Sequence, residues 1–347
     1  MRVLINGNLG YIGPVVQRVF KEKDPSLTLR GFDSGFFSHA LTTRDRSPDW
    51  VLSEQFFGDV RNPPADLFKY VDAVVHLAAI SNDPMGKTFE QVTDEINFNA
   101  SLEMAKSAKA AGAKSFVFAS SCSMYGFAEG GARTENDELN PLTAYARSKV
   151  ATEKALESLA DDDFHVTCLR FATACGMSPR LRLDLVLNDF VAGALANRRI
   201  DILSDGTPWR PIIAVEDMST AMYWAITRDA SLGGTFLPIN TGSNAWNFQV
   251  LDLANAVAAE MPGTEISINP KAVADKRSYQ VNFDLFERLA PECSPSKDLR
   301  SVVADLRDGL GECGFADGEF RSGPFIRLHT LDGHRAAGRL DSSLRWA

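Results

Sequence analysis

The chain has 347 residues, 45% of them hydrophobic and 23% charged, which is enough for a sizeable core and typical of a globular protein. Its net charge of −9 argues against a nucleic-acid backbone or an anionic membrane as the main partner. Five cysteines with no CxxC pair argue against a metal site or a disulfide framework, and neither a secretory signal nor an apolar run of ~18 residues is present, so a soluble cytoplasmic protein is expected.

Short apolar runs alternate with amphipathic segments, the pattern of a parallel sheet covered on both faces. Strands are predicted at residues 3–5, 27–32, 73–77, 115–119 and 165–171, with a weaker candidate at 55–57. Helices are predicted at 11–20, at 90–111 with Gly112 as the stop, and at 141–159 with Asn140-Pro141 setting the start. Parallel strands need helical crossovers of fixed hand, so a doubly wound α/β sheet is the economical architecture for the first half. Beyond about Gly176 the alternation becomes irregular, as expected of a smaller lobe closing over the sheet.

Gly7-Asn8-Leu9-Gly10-Tyr11-Ile12-Gly13 follows the first strand and opens the first helix. Glycine at such a turn lets backbone N–H groups approach a pyrophosphate, and the helix N-terminus adds favourable partial charge. Asp33, with Ser34 after it, ends the second strand 20 residues beyond Gly13. A carboxylate there binds the hydroxyls of an adenosine ribose and repels a 2′-phosphate, which favours NAD over NADP. Gly58-Asp59-Val60 is a further candidate contact around the adenine.

Tyr145-Ala146-Arg147-Ser148-Lys149 places a phenol and an ammonium four residues apart on one helix face. A phenol titrates near ~10 when unperturbed. A neighbouring cation stabilises phenolate, so Tyr145 is a candidate base and Lys149 the group that lowers its pKa and reaches the nicotinamide ribose. Ser121, at the end of the SFVFASS strand, can hydrogen-bond the same substrate hydroxyl.

With these residues the chain resembles the extended short-chain dehydrogenase/reductases, specifically the NAD-dependent sugar epimerase/dehydratase group. The motifs that carry the resemblance are GNLGYIG at Gly7, GFDS at Gly31, GDV at Gly58, VVHLAA at Val74 and INFNAS at Ile96. They continue with SSCSMYG at Ser120, YARSK at Tyr145, LRFATACG at Leu169 and WRPIIAVEDM at Trp209, in order over about 220 residues, with a looser match at DKRSYQV from Asp275. The resemblance implies Tyr145 as base, Ser121 as its partner, Lys149 as cation, and Leu77, Ala78 and Ala79 along the cofactor. It implies that Asn97 supports the site, that Arg210 and Arg277 hold a nucleotide diphosphate, and that Asn188 contacts it too. A homodimer through the helices near 90–111 and 143–159 is also implied. The corresponding architecture is a Rossmann-type domain at 1–175 with a return segment at about 212–245, and a nucleotide-sugar lobe at 176–211 and 246–347.

Dehydratases of this group carry two acidic residues directly after the Ser/Thr, whereas this chain has Cys122-Ser123, a form closer to the epimerases. The expected reaction is therefore redox-neutral epimerisation of a nucleotide sugar through a 4-keto sugar, with a 4-dehydrogenase or ketosugar reductase as the alternative on the same residues. Ser123 and Thr173 are candidate sugar contacts, Thr173 standing in the segment where the group's epimerases usually have Asn. Arg180 and Arg182 fall near the expected substrate cleft. Cys122 and Cys175 are read as small packing residues. The segment from Phe325 suits either a short helix, by Phe325, Leu328 and Leu331, or a strand, by Ile326 and Leu328; it is expected to pack on the lobe or a neighbour without chemistry.

Overall fold

The computed structural model describes residues 1–43, 46–81, 83–128, 130–269 and 278–347. The predicted apolar runs form strands β1 (Arg2–Asn6), β2 (Thr28–Asp33), β3 (Glu54–Phe57), β4 (Ala73–His76), β5 (Ser115–Ser121) and β6 (His165–Phe171). The chain then makes β7 (Thr173–Cys175), β8 (Arg199–Ile202) and β9 (Trp209–Ala214), returns as β10 (Phe236–Thr241), and adds β11 (Asn247–Gln249) and β12 (Glu265–Ile268). Seven strands form one parallel sheet in the order β10-β6-β5-β4-β1-β2-β3. The order reverses between β1 and β4, and that switch point opens a crevice beyond the strands' carboxyl ends.

The helices are α1 (Gly13–Lys23), α2 (Asp83–Thr88), α3 (Glu90–Asp94), α4 (Ser101–Ala110), α5 (Ala144–Glu157), α6 (Val186–Asn197), α7 (Val215–Thr227), α8 (Val250–Glu260), α9 (Asp284–Leu289), α10 (Leu299–Glu312) and α11 (Arg327–Ala336). Alternate residues along each central strand serve opposite faces, as the pleat requires. Val3, Ile5, Val75 and Val117 join the core with Val16 and Phe20 of α1 and Met218 and Met222 of α7. Leu4, Val74 and Phe116 pack with Met104 and Ala105 of α4 and Leu156 of α5. With both faces covered, the strands are near-continuous apolar runs, which is why they were legible. A second core joins Leu187 and Val191 of α6, Leu253 and Val257 of α8, and Val303 and Leu306 of α10 around β8 and β9.

Two predicted helices differ in the structure. The helix expected from Pro141 begins at Ala144, because Thr143 is the cap and its hydroxyl accepts the Ala146 N–H at 3.2 Å. The helix expected at 90–111 is helical throughout 90–110, but as α3, a π-helical turn at Glu95–Ala100, and α4 in succession. The Asn97 carbonyl there accepts the Thr152 hydroxyl of α5 at 2.9 Å. A side chain that takes a helix carbonyl in this way loosens the regular ladder.

Buried His76 ends β4 between Asn6, whose Nδ2 donates to its Nδ1 at 2.8 Å, and the Ser101 hydroxyl, 2.8 Å from its Nε2. Burial first, then the Lys149 charge, pushes its pKa down from 6.5 to about 3. Between those values the unfolded chain binds a proton that the folded protein excludes, so stability rises with pH across that window and falls on acidification. Urea midpoints are therefore expected to drop as pH is lowered from about 6.5 toward 3. His76→Gln is expected to flatten that slope; an unchanged slope would assign the acid sensitivity to other groups.

Candidate active site

The turn after β1 and the loop after β4 bracket the crevice. Gly7 has φ +84°, and a Cβ on it would stand 2.6 Å from the Ala78 backbone nitrogen, so only glycine lets the two loops meet. A Cβ on Gly13 would stand 2.0 Å from the Asn8 carbonyl oxygen, which fixes glycine at the first position of α1. That helix has no side-chain cap and no acidic residue in its first turn, leaving its end favourable to an anion. Asp33 accepts from Leu9 N at 2.9 Å and from Gly35 N at 2.7 Å; burial raises its pKa and those two bonds oppose the rise. The same cleft is lined by Gly7, Gly10, Tyr11, Ile12, Asp33, Ser34, Asp59, Val60, Leu77, Ala78 and Ala79.

Several predicted residues shape this wall from behind. Asn97 is buried, and its carboxamide pairs with both the N–H and the C=O of Ile80, at 2.8 and 3.0 Å, while also donating to Ser148 Oγ at 3.2 Å. It thereby sets the path of the Leu77 to Ser81 loop. Asp59 is held by Arg61, with Nη2 at 2.6 Å, and this pairing keeps its carboxyl below the usual range against the effect of partial burial. Tyr11 is buried, and its hydroxyl donates to the Gly176 carbonyl at 2.6 Å, so its side chain braces the loop after β7.

Ser121, Tyr145 and Lys149 come together where β5 ends against α5. The Ser121 hydroxyl lies beside the Tyr145 phenol, close enough to lower its pKa. Ser121 Oγ also donates to Ser123 Oγ at 2.9 Å, which ties Ser123 to the pair. Burial pushes the Tyr145 pKa up to about 12, opposed first by the Ser121 hydroxyl and then by the Arg182 charge. Lys149 Nζ donates to the Ala119 carbonyl at 2.6 Å and lies 5.5 Å from the centre of the Tyr145 ring. Burial pushes its pKa down to about 7, with Glu153 holding it up in part. A second cation near the phenol is Arg182, whose charge also lowers its pKa; it lines the cleft and pairs with Asp184 at 2.9 Å and Ser81 at 3.0 Å.

The remaining predicted contacts are more dispersed. Arg180 is buried, with its guanidinium on Asp49 at 2.6 Å. Asn188 is buried and holds the loop between β7 and α6, accepting from Gly176 N at 3.0 Å and donating to the Arg182 carbonyl at 2.9 Å. Thr173 begins β7, partly exposed, and Arg210 in β9 donates to the Trp209 carbonyl at 2.8 Å. Arg277 lies outside the described residues. Cys122 and Cys175 are buried, and burial pushes both thiols well up, which removes them from thiolate chemistry.

Sequence reasoning assigned no chemistry to the C-terminal segment, which instead borders this cleft. Phe325 and Ile326 pack on the second core as expected, whereas α11 and the residues after it, through Leu331, Leu340 and Leu344, pack with Ile80, Met85 and Phe89. The apolar spacing suggested a helix but carried no signal of what it would cover.

A doubly wound sheet with a glycine turn and an aspartate lining the crevice at its switch point, and with a Ser, Tyr and Lys group, fits a dinucleotide-dependent enzyme. The profile of the NAD dependent epimerase/dehydratase family matches residues 3–237, and the chain belongs to that family, with NAD as its cofactor. It is 26% identical over 226 residues to the uncharacterized UDP-glucose epimerase YtcB of Bacillus subtilis (strain 168), covering 62% of this chain and 70% of that protein. It is also 26% identical over 326 residues to UDP-glucuronic acid decarboxylase 6 of Arabidopsis thaliana, covering 89% and 87%. The structure of MoeE5 in complex with UDP-glucuronic acid and NAD matches with a TM-score of 0.75 and 25% identity, over 90% of this chain and 99% of that one. Among the described residues no helix is long and apolar enough to cross a membrane.

Proposed function

We propose that the protein is a nucleotide-sugar epimerase acting at C4, with Tyr145 as the base. The observation that carries this reading is the Ser121 hydroxyl beside the Tyr145 phenol, followed at Cys122-Ser123 by positions that offer no carboxylate for loss of water. Cys122 is turned inward, with its thiol donating to the Arg170 carbonyl at 3.0 Å.

Bound NAD supplies the acceptor and donor of the C4 hydride and a positive ring charge near the phenol. Tyr145 takes the proton of the sugar 4-hydroxyl, while Ser121 hydrogen-bonds the same oxygen and fixes its position. Lys149, 5.5 Å from the ring centre, together with Arg182 and the Ser121 hydroxyl, stabilises phenolate against the effect of burial. After the keto sugar rotates and regains the hydride at C4 on its other face, Tyr145 returns the proton to the C4 oxygen, which restores the alcohol. Ser123 and Thr173 are the sugar contacts in this reading. Arg210 and Arg277 hold the diphosphate, and Arg180 and Asn188 act through the shape of the loop between β7 and α6. The relatives named above act on or bind UDP-linked sugars, which supports a nucleotide sugar as substrate.

Incubation with a panel of nucleotide sugars and no added NAD tests the reading. A new epimer without lasting absorbance at 340 nm is the expected result. A keto sugar with stoichiometric NADH would replace epimerisation with a 4-dehydrogenase on the same residues. The proposed homodimer is expected to show twice the 37.9 kDa chain mass by light scattering at micromolar concentration; the monomer mass would remove it.

A further inference from the structure

Arg327, the first residue of α11, is only 2% exposed and borders the dinucleotide cleft. Its Nη2 donates to the Arg180 carbonyl at 2.8 Å, and its guanidinium carbon sits 4.5 Å from the centre of the Phe37 ring. Its Nη1 is buried without a hydrogen-bond partner. The nearby carboxylates are already engaged: Asp49 by Arg180, Asp184 by Arg182, and Asp33 by the amides of Leu9 and Gly35. Burial, and then the Arg182 charge, disfavour the charged form of Arg327. A buried guanidinium nitrogen with no acceptor is a costly arrangement unless an anion completes it.

The residues after α11 continue the same wall. Trp346 Nε1 donates to the Ser34 carbonyl at 2.7 Å, and Arg61 Nη1 donates to the Ser343 carbonyl at 2.8 Å. Arg345 lies 3.4 Å from Asp59, and the Trp346 and Phe36 rings are 5.4 Å apart. These contacts join the C-terminal segment to the loops after β2 and β3, where Asp33 and Asp59 border the cleft.

We propose that the C-terminal segment is a strap over the adenosine half of the NAD site, and that Arg327 Nη1 is a ligand of the cofactor's pyrophosphate. The anion is the pyrophosphate rather than a ribose 2′-phosphate, because the Asp33 carboxylate occupies the ribose position and repels charge there. The planar guanidinium, held by Phe37 on its face and by the Arg180 carbonyl at one edge, presents its remaining edge in a fixed direction, as phosphate recognition requires. The inference rests on NAD binding and not on epimerisation, so the two can fail separately.

The test compares wild type with Arg327→Met and Trp346→Ala in the full chain, using calorimetric titration with NAD, ADP and adenosine and the half-time of NAD release. Arg327→Met is expected to weaken NAD and ADP by about tenfold or more, the scale of one charge-assisted hydrogen bond, and to leave adenosine unchanged. Its cofactor-free form is expected to melt no lower than wild type, since a buried unpaired cation has been removed. Trp346→Ala, on the exposed rim, is expected to speed NAD release about fivefold, the scale of one neutral hydrogen bond. Equal loss of adenosine and ADP, or unchanged NAD affinity, in Arg327→Met would overturn the phosphate contact. An unchanged release rate in Trp346→Ala would overturn the strap, whatever the fate of the other variant.

Discussion

Tyr145→Phe is expected to lower kcat by about 10²–10⁴-fold, with substrate KM and NAD affinity much less affected. The phenyl ring keeps its place beside Lys149, whose ammonium lies 5.5 Å from the ring centre, so packing in the cleft survives. What is lost is the oxygen that accepts the substrate proton and lies beside the Ser121 hydroxyl. Ser121 and Ser123 donate and accept without titrating near neutral pH, so neither replaces the phenol as base. Single-turnover measurement of sugar oxidation reads this step directly. Turnover within a few-fold of wild type would remove Tyr145 as the base.

The second large effect concerns stability. Glu153 of α5 and Arg170 of β6 form an ion pair whose side chains are 5% and 7% exposed, with Nη2 at 2.8 Å from Oε2. Ser120 donates to the same carboxylate at 2.5 Å, and Arg170 Nη1 donates to the Tyr125 hydroxyl at 3.2 Å. Tyr125 in turn donates to Asn240 of β10 at 2.7 Å, so the network ties together β5, β6, β10 and α5. Glu153→Ala leaves the guanidinium buried and uncompensated, a loss of about 3–5 kcal/mol in urea unfolding. Glu153→Met combined with Arg170→Met is expected to recover much of it, since apolar groups of similar volume avoid desolvating two charges. A single-variant loss below about 1 kcal/mol, the scale of an exposed pair, would mean that water satisfies Arg170. Glu153 also supports the charge on Lys149, so surviving activity of the single variant is expected to favour lower pH than wild type.

The parts of the fold legible in the sequence were those with strong local causes. Central strands were visible because both faces are buried, and the glycine turn and Asp33 because backbone approach and ribose binding each demand a residue type. The π-helical turn at Glu95–Ala100 was hidden because the bond it carries, from Thr152 to the Asn97 carbonyl, comes from 55 residues away. Strand β10 was obscured by Pro238, which cannot donate to a ladder and so reads against a central strand; it is tolerated because β10 is the sheet's edge. In Arg180-Leu181-Arg182 the sequence offers two equivalent cations. Only tertiary placement sends Arg180 to Asp49, 131 residues away, and sets Arg182, paired locally with Asp184, at the cleft. The role of Arg327 had no local signal at all, because an arginine opening a short helix looks the same whether it faces water or a phosphate.

The return of β10 also bears on how this chain is made. During synthesis β6 is complete about 65 residues before β10 begins, and until then its outer edge is an open template for pairing with other chains. Residues Met218, Met222 and Trp224, which join the core over the sheet, emerge in that same interval. A fragment ending at residue 175 therefore carries both an unpaired strand edge and an uncovered apolar face, and is expected to aggregate. One continuing through Thr241 pairs that edge, but the face is completed only by Tyr279, Val281, Phe283 and Phe286, so the core over the sheet closes late in synthesis.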